Sequence, residues 1–313
     1  MKTLEGTMPG NDYVKKSKIK QAMKQRLTIL LFLLPALLVY GTYNVYGIFR
    51  TFYYSFMKWS GLSPRMTFIG LKNYINLVTD INIWLALKNN LILVVVSIVF
   101  QLSFGLILAL IVNSKIRGAK FFRTVYFMPM LLSTVATGII WLLMFDPYYG
   151  LINHMFTAMG FKSLENMAWI GDPKSAMPAV LFVVCWQYIP QYMILLRAGL
   201  TNIADEINEA ATIDGANKLQ LFKSITLPLL APTLKTSAIL SLVGSLKYFD
   251  LVYVMTGGGP NGATEVMATY MYKNGFESSN MGYASSVAAF MFIVSLTMVA
   301  LFQFGTRRKE ENN

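Results

Sequence analysis

Six long runs of apolar residues, separated by short polar segments, dominate the pattern of this sequence. A helix needs about 20 mostly apolar residues to cross the hydrocarbon core of a bilayer. Backbone groups inside lipid must be hydrogen-bonded within the segment, so continuous runs of this kind favour helices. The predicted spans are Leu27–Phe49, Leu91–Val112, Val125–Phe145, Ala176–Leu196, Thr236–Met255 and Tyr283–Phe304. The pattern therefore predicts an all-α membrane protein with six transmembrane helices.

The composition agrees with a chain that faces lipid rather than water. Apolar types make up 55% of the 313 residues and charged types 13%, whereas about a quarter of the residues of a soluble domain are charged. The net charge of +12 does not indicate nucleic acid, because the basic residues lie in short segments between the apolar runs. One cysteine, Cys185, and one histidine, His154, cannot form an intrachain disulfide or a metal site based on either residue type.

The Lys and Arg residues of the connecting segments predict the orientation. Eighteen lie in the N-terminal segment, the second and fourth connections and the C-terminal tail, and eight lie in the other connections. Positive residues are retained on the cytoplasmic side, so both termini are expected in the cytoplasm, with the spans in the plasma membrane. The chain then divides into a basic segment (1–26), a six-helix transmembrane domain (27–304) and a short tail (305–313). The basic segment is expected to form a helix along the inner membrane surface, with a disordered tail as the alternative.

The fourth connection differs from the others in composition. Residues 208–232 read NEAATIDGANKLQLFKSITLPLLAP, in which helix-forming residues lead to Gly215, which permits a sharp change of direction. A second amphipathic stretch follows, and Pro228 is expected to end it, because proline lacks a backbone donor. The pattern predicts two short helices outside the membrane, with the small residues Ala210 and Ala211 on the face that another protein would approach.

This connection resembles the EAA loop of permease subunits of binding-protein-dependent ABC importers. In that family the loop, here 205–232, forms the coupling helix that docks into a cleft of a separate ATPase subunit. The resemblance assigns ATPase coupling to Glu209, Ala210, Ala211, Asp214, Gly215, Ala216, Leu221, Ile225, Leu227 and Pro228.

Three further stretches resemble the carbohydrate-uptake branch of that family, which includes the maltose and glycerol-phosphate permeases. They are Phe68–Asp80, Met128–Phe145 and Tyr248–Thr264. The resemblance implies a type I ABC importer permease bundle that acts with a second homologous permease, a dimer of cytoplasmic ATPase subunits and an extracytoplasmic solute-binding protein. The sequence contains no GxxxxGK[ST] motif, so the chain is expected to be non-catalytic, to bind no cofactor and to leave ATP and magnesium to the ATPase.

Polar residues inside the predicted spans are candidates for a sugar pathway, since such residues are costly in lipid and usually face a cavity or a partner helix. The candidates are Thr134, Trp186, Gln187, Tyr188, Gln191, Ser241, Ser245, Tyr248 and Asp250. Tyrosine and tryptophan also gather at membrane interfaces, and Ser or Gln side chains often bind neighbouring helices. The second permease could instead supply most of the sugar contacts, and Asp250 could pair with Lys247 or act in a gate.

Two other function classes remain open at this point. A permease of the same architecture could import glycerol-phosphate or another small solute. A phosphorylated solute favours basic residues in the pathway, and Lys247 alone lies within a span, which favours a neutral sugar, expected to be an oligosaccharide. A polytopic membrane enzyme or ion-coupled carrier normally needs clustered acidic or histidine residues within the membrane, and Asp250 is almost alone there.

Overall fold

The computed structural model describes residues 10–113 and 118–310. The α-helices of these residues are α1 (Gly10–Tyr40), α2 (Tyr46–Ser55), α3 (Lys72–Thr79), α4 (Ile81–Val96), α5 (Leu102–Asn113), α6 (Ala119–Leu131), α7 (Thr134–Met144), α8 (Leu151–Ala158), α9 (Pro173–Thr201), α10 (Asp205–Ile213), α11 (Lys218–Leu221), α12 (Leu227–Leu246), α13 (Asp250–Thr256), α14 (Met267–Tyr272) and α15 (Met281–Glu310). Turns of π-helix cover Gly41–Val45, Ser97–Gln101, Phe222–Thr226 and Lys273–Glu277, and a 3₁₀ turn covers Lys162–Leu164. The described residues also form two short antiparallel strands, β1 (Met57–Lys58) and β2 (Thr67–Phe68).

The chain divides into two compact units, one ending at Tyr53 and one beginning at Tyr54. In the first unit, α1, a π turn and α2 follow one another without a break. Within them, Met23–Ser55 is long and apolar enough to cross a membrane. The helix passes through residue 26, so the N-terminal segment is helical from Gly10 onward, while residues 1–9 lie outside the described residues. Its placement along the inner membrane surface stays a prediction.

In the second unit, four further helical runs are long and apolar enough to cross a membrane. They are Ile81–Asn113, Pro173–Thr201, Lys218–Leu246 and Met281–Thr306. The described residues therefore contain five such runs, or six if the bent pair formed by α6 and α7 counts as one. The predicted all-α class and a bundle of about six spans are confirmed.

The third predicted span, Val125–Phe145, is not a single straight helix. Helices α6 and α7 meet at 96°, because residues 132 and 133 are extended, with ψ angles of 140° and 137°. Pro129 lies in the last turn of α6, where its missing N–H weakens the end of the helix. The prediction of one continuous helix was wrong at this point.

The fifth predicted span, Thr236–Met255, is displaced toward the N-terminus. Its helix ends at Leu246, residues 247–249 are not helical, and α13 begins at Asp250. At the other end, α11, a π turn and α12 join into one run from Lys218 to Leu246.

The expectation that Pro228 ends a short helix was also wrong. Pro228 lies in the first turn of α12, directly after the π turn. There the Leu227 N–H bonds the Phe222 carbonyl five residues earlier, and such local π adjustments let a helix pass through proline. The second helix of the fourth connection is therefore the beginning of the fifth span.

The core of the second unit forms around α9. Its buried residues Val180, Val183 and Val184 pack with Trp141 of α7 and Leu251 of α13. Helix α5 approaches α9 so closely that a Cβ added at Gly105 would lie 2.9 Å from the Tyr192 Cβ. Small residues at helix contacts allow this close packing in membrane proteins.

Candidate functional site

A cavity of about 410 Å³, with both polar and aromatic side chains in its wall, lies within the second unit, where α9, α12 and the π turn of the second span meet. The break between α6 and α7 and the break after α12 both lie at this cavity. Thr134, which begins α7, lines the cavity, and so do the residues that follow the end of α12, Lys247, Tyr248, Phe249 and Asp250. Irregular backbone at membrane depth is tolerated where it is buried in protein or lines a cavity. The two breaks therefore expose polar groups to the cavity.

The break after α12 is held by the buried side chain of Asn90. Its Nδ2 donates to the carbonyls of Ser245 and Leu246 at 2.9 and 3.2 Å, and its Oδ1 accepts from the Met267 N–H at 2.8 Å. The last carbonyls of a helix lack partners inside the helix, so Asn90 stabilises the helix end at this depth. The predicted site did not include Asn90, although a pair of asparagines, Asn89 and Asn90, at the start of an apolar run is a readable signal.

Two hydroxyl groups at the cavity, those of Ser241 and Tyr248, lack a well-formed hydrogen bond among the described residues, although they lie near the hydroxyls of Tyr192 and Tyr188. The Ser241 residue is 1% exposed, and buried polar groups are normally hydrogen-bonded. The Tyr248 ring packs edge-on against the Tyr188 ring, with centroids 5.9 Å apart. Such hydroxyls beside aromatic rings are suited to a ligand that carries its own hydroxyl groups.

Seven of the nine predicted pathway residues are brought together at this cavity. They are Thr134, Tyr188, Gln191, Ser241, Ser245, Tyr248 and Asp250. No ion pair joins Asp250 to Lys247 in the part of the chain that the structure describes, although both line the cavity. The pairing alternative is therefore not realised in this structure.

Trp186 and Gln187 do not line the cavity. Each residue of an α-helix is rotated by about 100° from the one before, and the cavity face of α9 is that of Tyr188, Gln191 and Tyr192. Gln187 is buried and its Nε2 donates to the Leu132 carbonyl at 3.4 Å, at the break between α6 and α7. Trp186 contacts Trp141, with centroids 5.4 Å apart, and lines a separate apolar cavity of about 680 Å³.

Five polar or aromatic residues of the cavity wall were missing from the predicted set. They are Ser97, Gln101, Tyr192, Lys247 and Phe249. Ser97 and Gln101 are both buried, and they begin and end the π turn of the second span. Two polar residues four apart inside an apolar run share one helix face, and this spacing could have identified them.

The fourth connection is a well-capped pair of helices. Helix α10 ends in a Schellman arrangement, in which the Gly215 N–H bonds the Thr212 carbonyl and the Ala216 N–H bonds the Ala211 carbonyl. Gly215 has a φ of +85°, which favours glycine. Asn217 then caps the next helix and exchanges hydrogen bonds with Gln220 in a capping box. The Asn217-x-x-Gln220 pattern is readable from sequence, and it makes the turn between the helices rigid.

The exposed surface of this connection is partly apolar. Glu209, Ala210, Asp214, Gly215 and Pro228 are exposed, whereas Ala216, Leu221, Ile225 and Leu227 are half-buried. Ala211 is buried within the chain, so only Ala210 of the two alanines faces outward, contrary to expectation. Ile213 is 85% exposed and was not among the predicted residues. An isoleucine beside the Asp214–Gly215 turn is expected to be exposed, because few residues of the chain lie near enough to cover it. This position could have identified Ile213 from the sequence.

Asp80 forms a polar contact where α4 and α15 begin. Its carboxylate accepts hydrogen bonds from the hydroxyls of Tyr270 and Tyr283 and from both the backbone N–H and the side-chain Nδ2 of Asn82. Burial raises the pKa of Asp80, but these four hydrogen bonds outweigh burial, and the net pKa lies below the usual aspartate value. The contact joins α4, α14 and α15.

Known proteins resemble the chain over most of its length. The profile of the family described as binding-protein-dependent transport system inner membrane component matches residues 101–309. The multiple sugar-binding transport system permease protein MsmF of Streptococcus mutans is 35% identical over 280 residues, which cover 90% of this chain and 95% of MsmF. The trehalose/maltose transport system permease protein MalF of Thermococcus litoralis is 33% identical over 294 residues, covering 93% and 97%.

One solved structure shares the fold over nearly all of the chain. It is a bacterial ABC transporter involved in the import of the acidic polysaccharide alginate, with a TM-score of 0.80. The match covers 93% of this chain and 99% of that chain at 22% sequence identity.

Proposed function

Because this chain belongs to the family of binding-protein-dependent transport system inner membrane components, we propose that it forms, with a second homologous permease, the pathway by which an ABC importer takes up a sugar. The observation that carries the proposal is the cavity inside an apolar bundle, with polar and aromatic side chains in its wall and two hydroxyls that lack a well-formed hydrogen bond. The substrates named for MsmF and MalF support a sugar. A solute-binding protein delivers the sugar from outside the cell.

The charges at the cavity favour a neutral sugar over a phosphorylated one. Lys247 and Asp250 both line it, so the positive charge of the lysine is offset by a carboxylate. A phosphate group needs cationic donors without a competing anion. The serine, tyrosine and glutamine side chains of the wall instead supply hydroxyl and amide groups that match sugar hydroxyls.

The fourth connection is the contact with the ATPase. The Lys and Arg distribution supports a location of both termini and of this connection in the cytoplasm of a bacterial cell. Glu209, Ala210 and Ile213 form an exposed face that a cleft can cover. ATP and magnesium are bound by the ATPase dimer, and this permease chain carries no cofactor.

The continuous helix of the fifth span supplies the mechanical link. It runs from Lys218, beside the contact with the ATPase, to Leu246, beside the cavity. At 1.5 Å per residue this run is about 42 Å long. A rigid-body movement of the connection is therefore transmitted along one helix to Ser241 and Ser245, which line the cavity.

Uptake into proteoliposomes tests the class of solute. The chain is assembled with the second permease, the ATPase and the binding protein, and ATP-dependent uptake of maltose, trehalose, maltotriose and glycerol 3-phosphate is measured. We expect uptake of at least one of the sugars and none of glycerol 3-phosphate. Uptake of glycerol 3-phosphate alone, or of no sugar by an assembly with ATPase activity, would overturn the proposal.

A further inference from the structure

Four aromatic side chains form a cluster that begins at the cavity and ends at the protein surface. This aromatic cluster consists of Phe249, Tyr253, Tyr272 and Phe276. Phe249 lines the cavity and stacks on Tyr253, with centroids 5.0 Å apart and planes at 16°. Tyr272 contacts both, at 5.3 and 5.1 Å. Phe276 lies 5.1 Å beyond Tyr272 and is 65% exposed.

The helical elements that carry the cluster are fixed to the rest of the bundle. Met267, at the start of α14, is held by Asn90, and Lys273 pairs with the buried Glu265 at 2.5 Å. A Cβ added at Gly275 would lie 3.0 Å from the Ala284 Cβ, so the π turn packs directly on α15. The positions of Tyr272 and Phe276 are therefore set by their surroundings and do not depend on a ligand.

The surface of the cluster combines ring faces with polar edges. The Tyr253 hydroxyl lies close to the Tyr272 hydroxyl and to the Glu277 carboxylate. A pyranose ring has apolar C–H faces that gain from leaving water against an aromatic ring, and hydroxyls around its edge that need donors and acceptors. Pockets that bind small molecules show the same combination of aromatic walls and few polar groups.

We propose that the aromatic cluster is an entry subsite that holds one sugar ring of an oligosaccharide while another ring occupies the cavity. This inference rests on the proposed sugar uptake and adds to it a second binding position and a preference for longer chains. The proposal rests on the position of Phe249, which belongs both to the cavity wall and to the cluster, so that the cluster continues directly from the cavity. Phe276, which the rest of this chain leaves 65% exposed, marks the end at which the sugar arrives.

The test compares Phe276→Leu with Phe276→Trp in the complete transporter in proteoliposomes. Leucine keeps an apolar side chain but removes the ring, and tryptophan keeps a ring. We expect Phe276→Leu to lower kcat/KM for maltotriose uptake about three- to tenfold, the range that one lost ring contact implies, and to affect maltose less. Phe276→Trp stays within about twofold of wild type.

Phe161→Leu is the matched control, because Phe161 is also exposed and contacts one aromatic ring, that of Phe156. Wild-type maltotriose uptake in Phe276→Leu contradicts the entry subsite and leaves sugar uptake intact. Poor assembly of Phe276→Leu, with normal uptake per assembled complex, also contradicts it and points to a contact with the second permease. If the wild-type transporter takes up none of the sugars, both the proposed function and the entry subsite are wrong.

Discussion

At the scale of single residues, the hydroxyls of Ser241 and Tyr248 separate binding from folding. Removing a buried hydroxyl that makes no well-formed hydrogen bond costs the fold little and can stabilise it. We expect Ser241→Ala and Tyr248→Phe to keep or raise the thermal unfolding midpoint while raising the apparent KM for sugar uptake about three- to tenfold. Uptake kinetics and a thermal melt of the purified complex measure the two effects.

Ser286 provides the control for this pair. It is buried, and its Oγ donates to the Tyr283 carbonyl at 2.6 Å. Ser286→Ala should lower the unfolding midpoint and leave the KM unchanged, which is the opposite pattern. A lowered midpoint with an unchanged KM in Ser241→Ala would show that its hydroxyl supports the fold and does not bind sugar.

Asp80 predicts a pH dependence of stability. Its folded pKa is lowered, so its contribution is fully present above the unfolded value of about 3.9 and is lost as the pH falls through the folded pKa. We expect the difference in unfolding midpoint between wild type and Asp80→Asn to be constant from pH 7 to about pH 5 and to shrink below about pH 4. Thermal melts of the complex in detergent over that pH range measure it.

Asp172→Asn is the comparison for this prediction. The Asp172 carboxylate accepts the Lys174 N–H at the start of α9, without the two tyrosine hydroxyls that Asp80 has. Its midpoint difference should be smaller at every pH. A difference for Asp80→Asn that does not change with pH would mean that the carboxylate charge is not what the tyrosines stabilise.

The residue types of the cavity were largely predictable, because a polar side chain inside a span has few acceptable environments. That reasoning selected Tyr188, Gln191 and Ser241, which the structure brings to one cavity. It could not separate Gln187 from Tyr188, since both are polar and adjacent in the chain. Which of them faces the cavity depends on the rotation of α9, and that is set by packing against α5 and α7.

At the scale of elements, the glycine turn of the fourth connection determines how α10 leads into the fifth span. Gly215 has a φ of +85°, and the space that a Cβ would occupy there is open. A side chain at this position therefore meets no neighbour but costs about 1–2 kcal/mol of backbone strain. We expect Gly215→Asp to abolish sugar uptake with the subunit still in the membrane, because it adds a second carboxylate beside Asp214 on the exposed face of a strained turn. Uptake and membrane content are measured in the same vesicles.

Gly215→Asn is the matched variant, since asparagine and aspartate both tolerate the left-handed conformation but asparagine adds no charge. It should keep most of the uptake. Glu209→Lys, which reverses an exposed charge without straining the backbone, should abolish uptake with a normal unfolding midpoint. Normal uptake in both Gly215→Asp and Glu209→Lys would remove the coupling role from this connection.

The elements show where sequence patterns stop being informative. Apolar runs predicted the helices, but the ends at residues 132 and 246 depend on distant side chains. Gln187 donates to the Leu132 carbonyl, and Asn90 donates to the carbonyls of Ser245 and Leu246. Pro228 suggested a helix end where a π turn allows continuation. Contacts that are remote in the chain thus hold both breaks, the first of them together with the local effect of Pro129.

At the scale of the whole molecule, the fourth connection and the cavity lie at opposite ends of one helix, that of the fifth span. Lys218 and Leu246 bound a run without a break, and the chain then reaches Phe276 before α15 returns. If the Lys and Arg distribution sets the orientation, Ile213 lies in the cytoplasm and Phe276 lies outside the cell. Both residues are well exposed, so their sidedness can be measured directly.

Single cysteines at these two positions give opposite labelling patterns. In a Cys185→Ala background, a membrane-impermeant maleimide added to intact cells should label Phe276→Cys, and should label Ile213→Cys only after the membrane is opened. Ile213→Cys should then form a crosslink to the ATPase in the assembled transporter, because Ile213 lies on the exposed face with Glu209 and Ala210 that we propose the ATPase cleft covers. Labelling of Ile213→Cys from outside would invert the topology. If the labelling agrees with the predicted sides but no crosslink to the ATPase forms, the orientation is supported. The fourth connection is then not the contact with the ATPase.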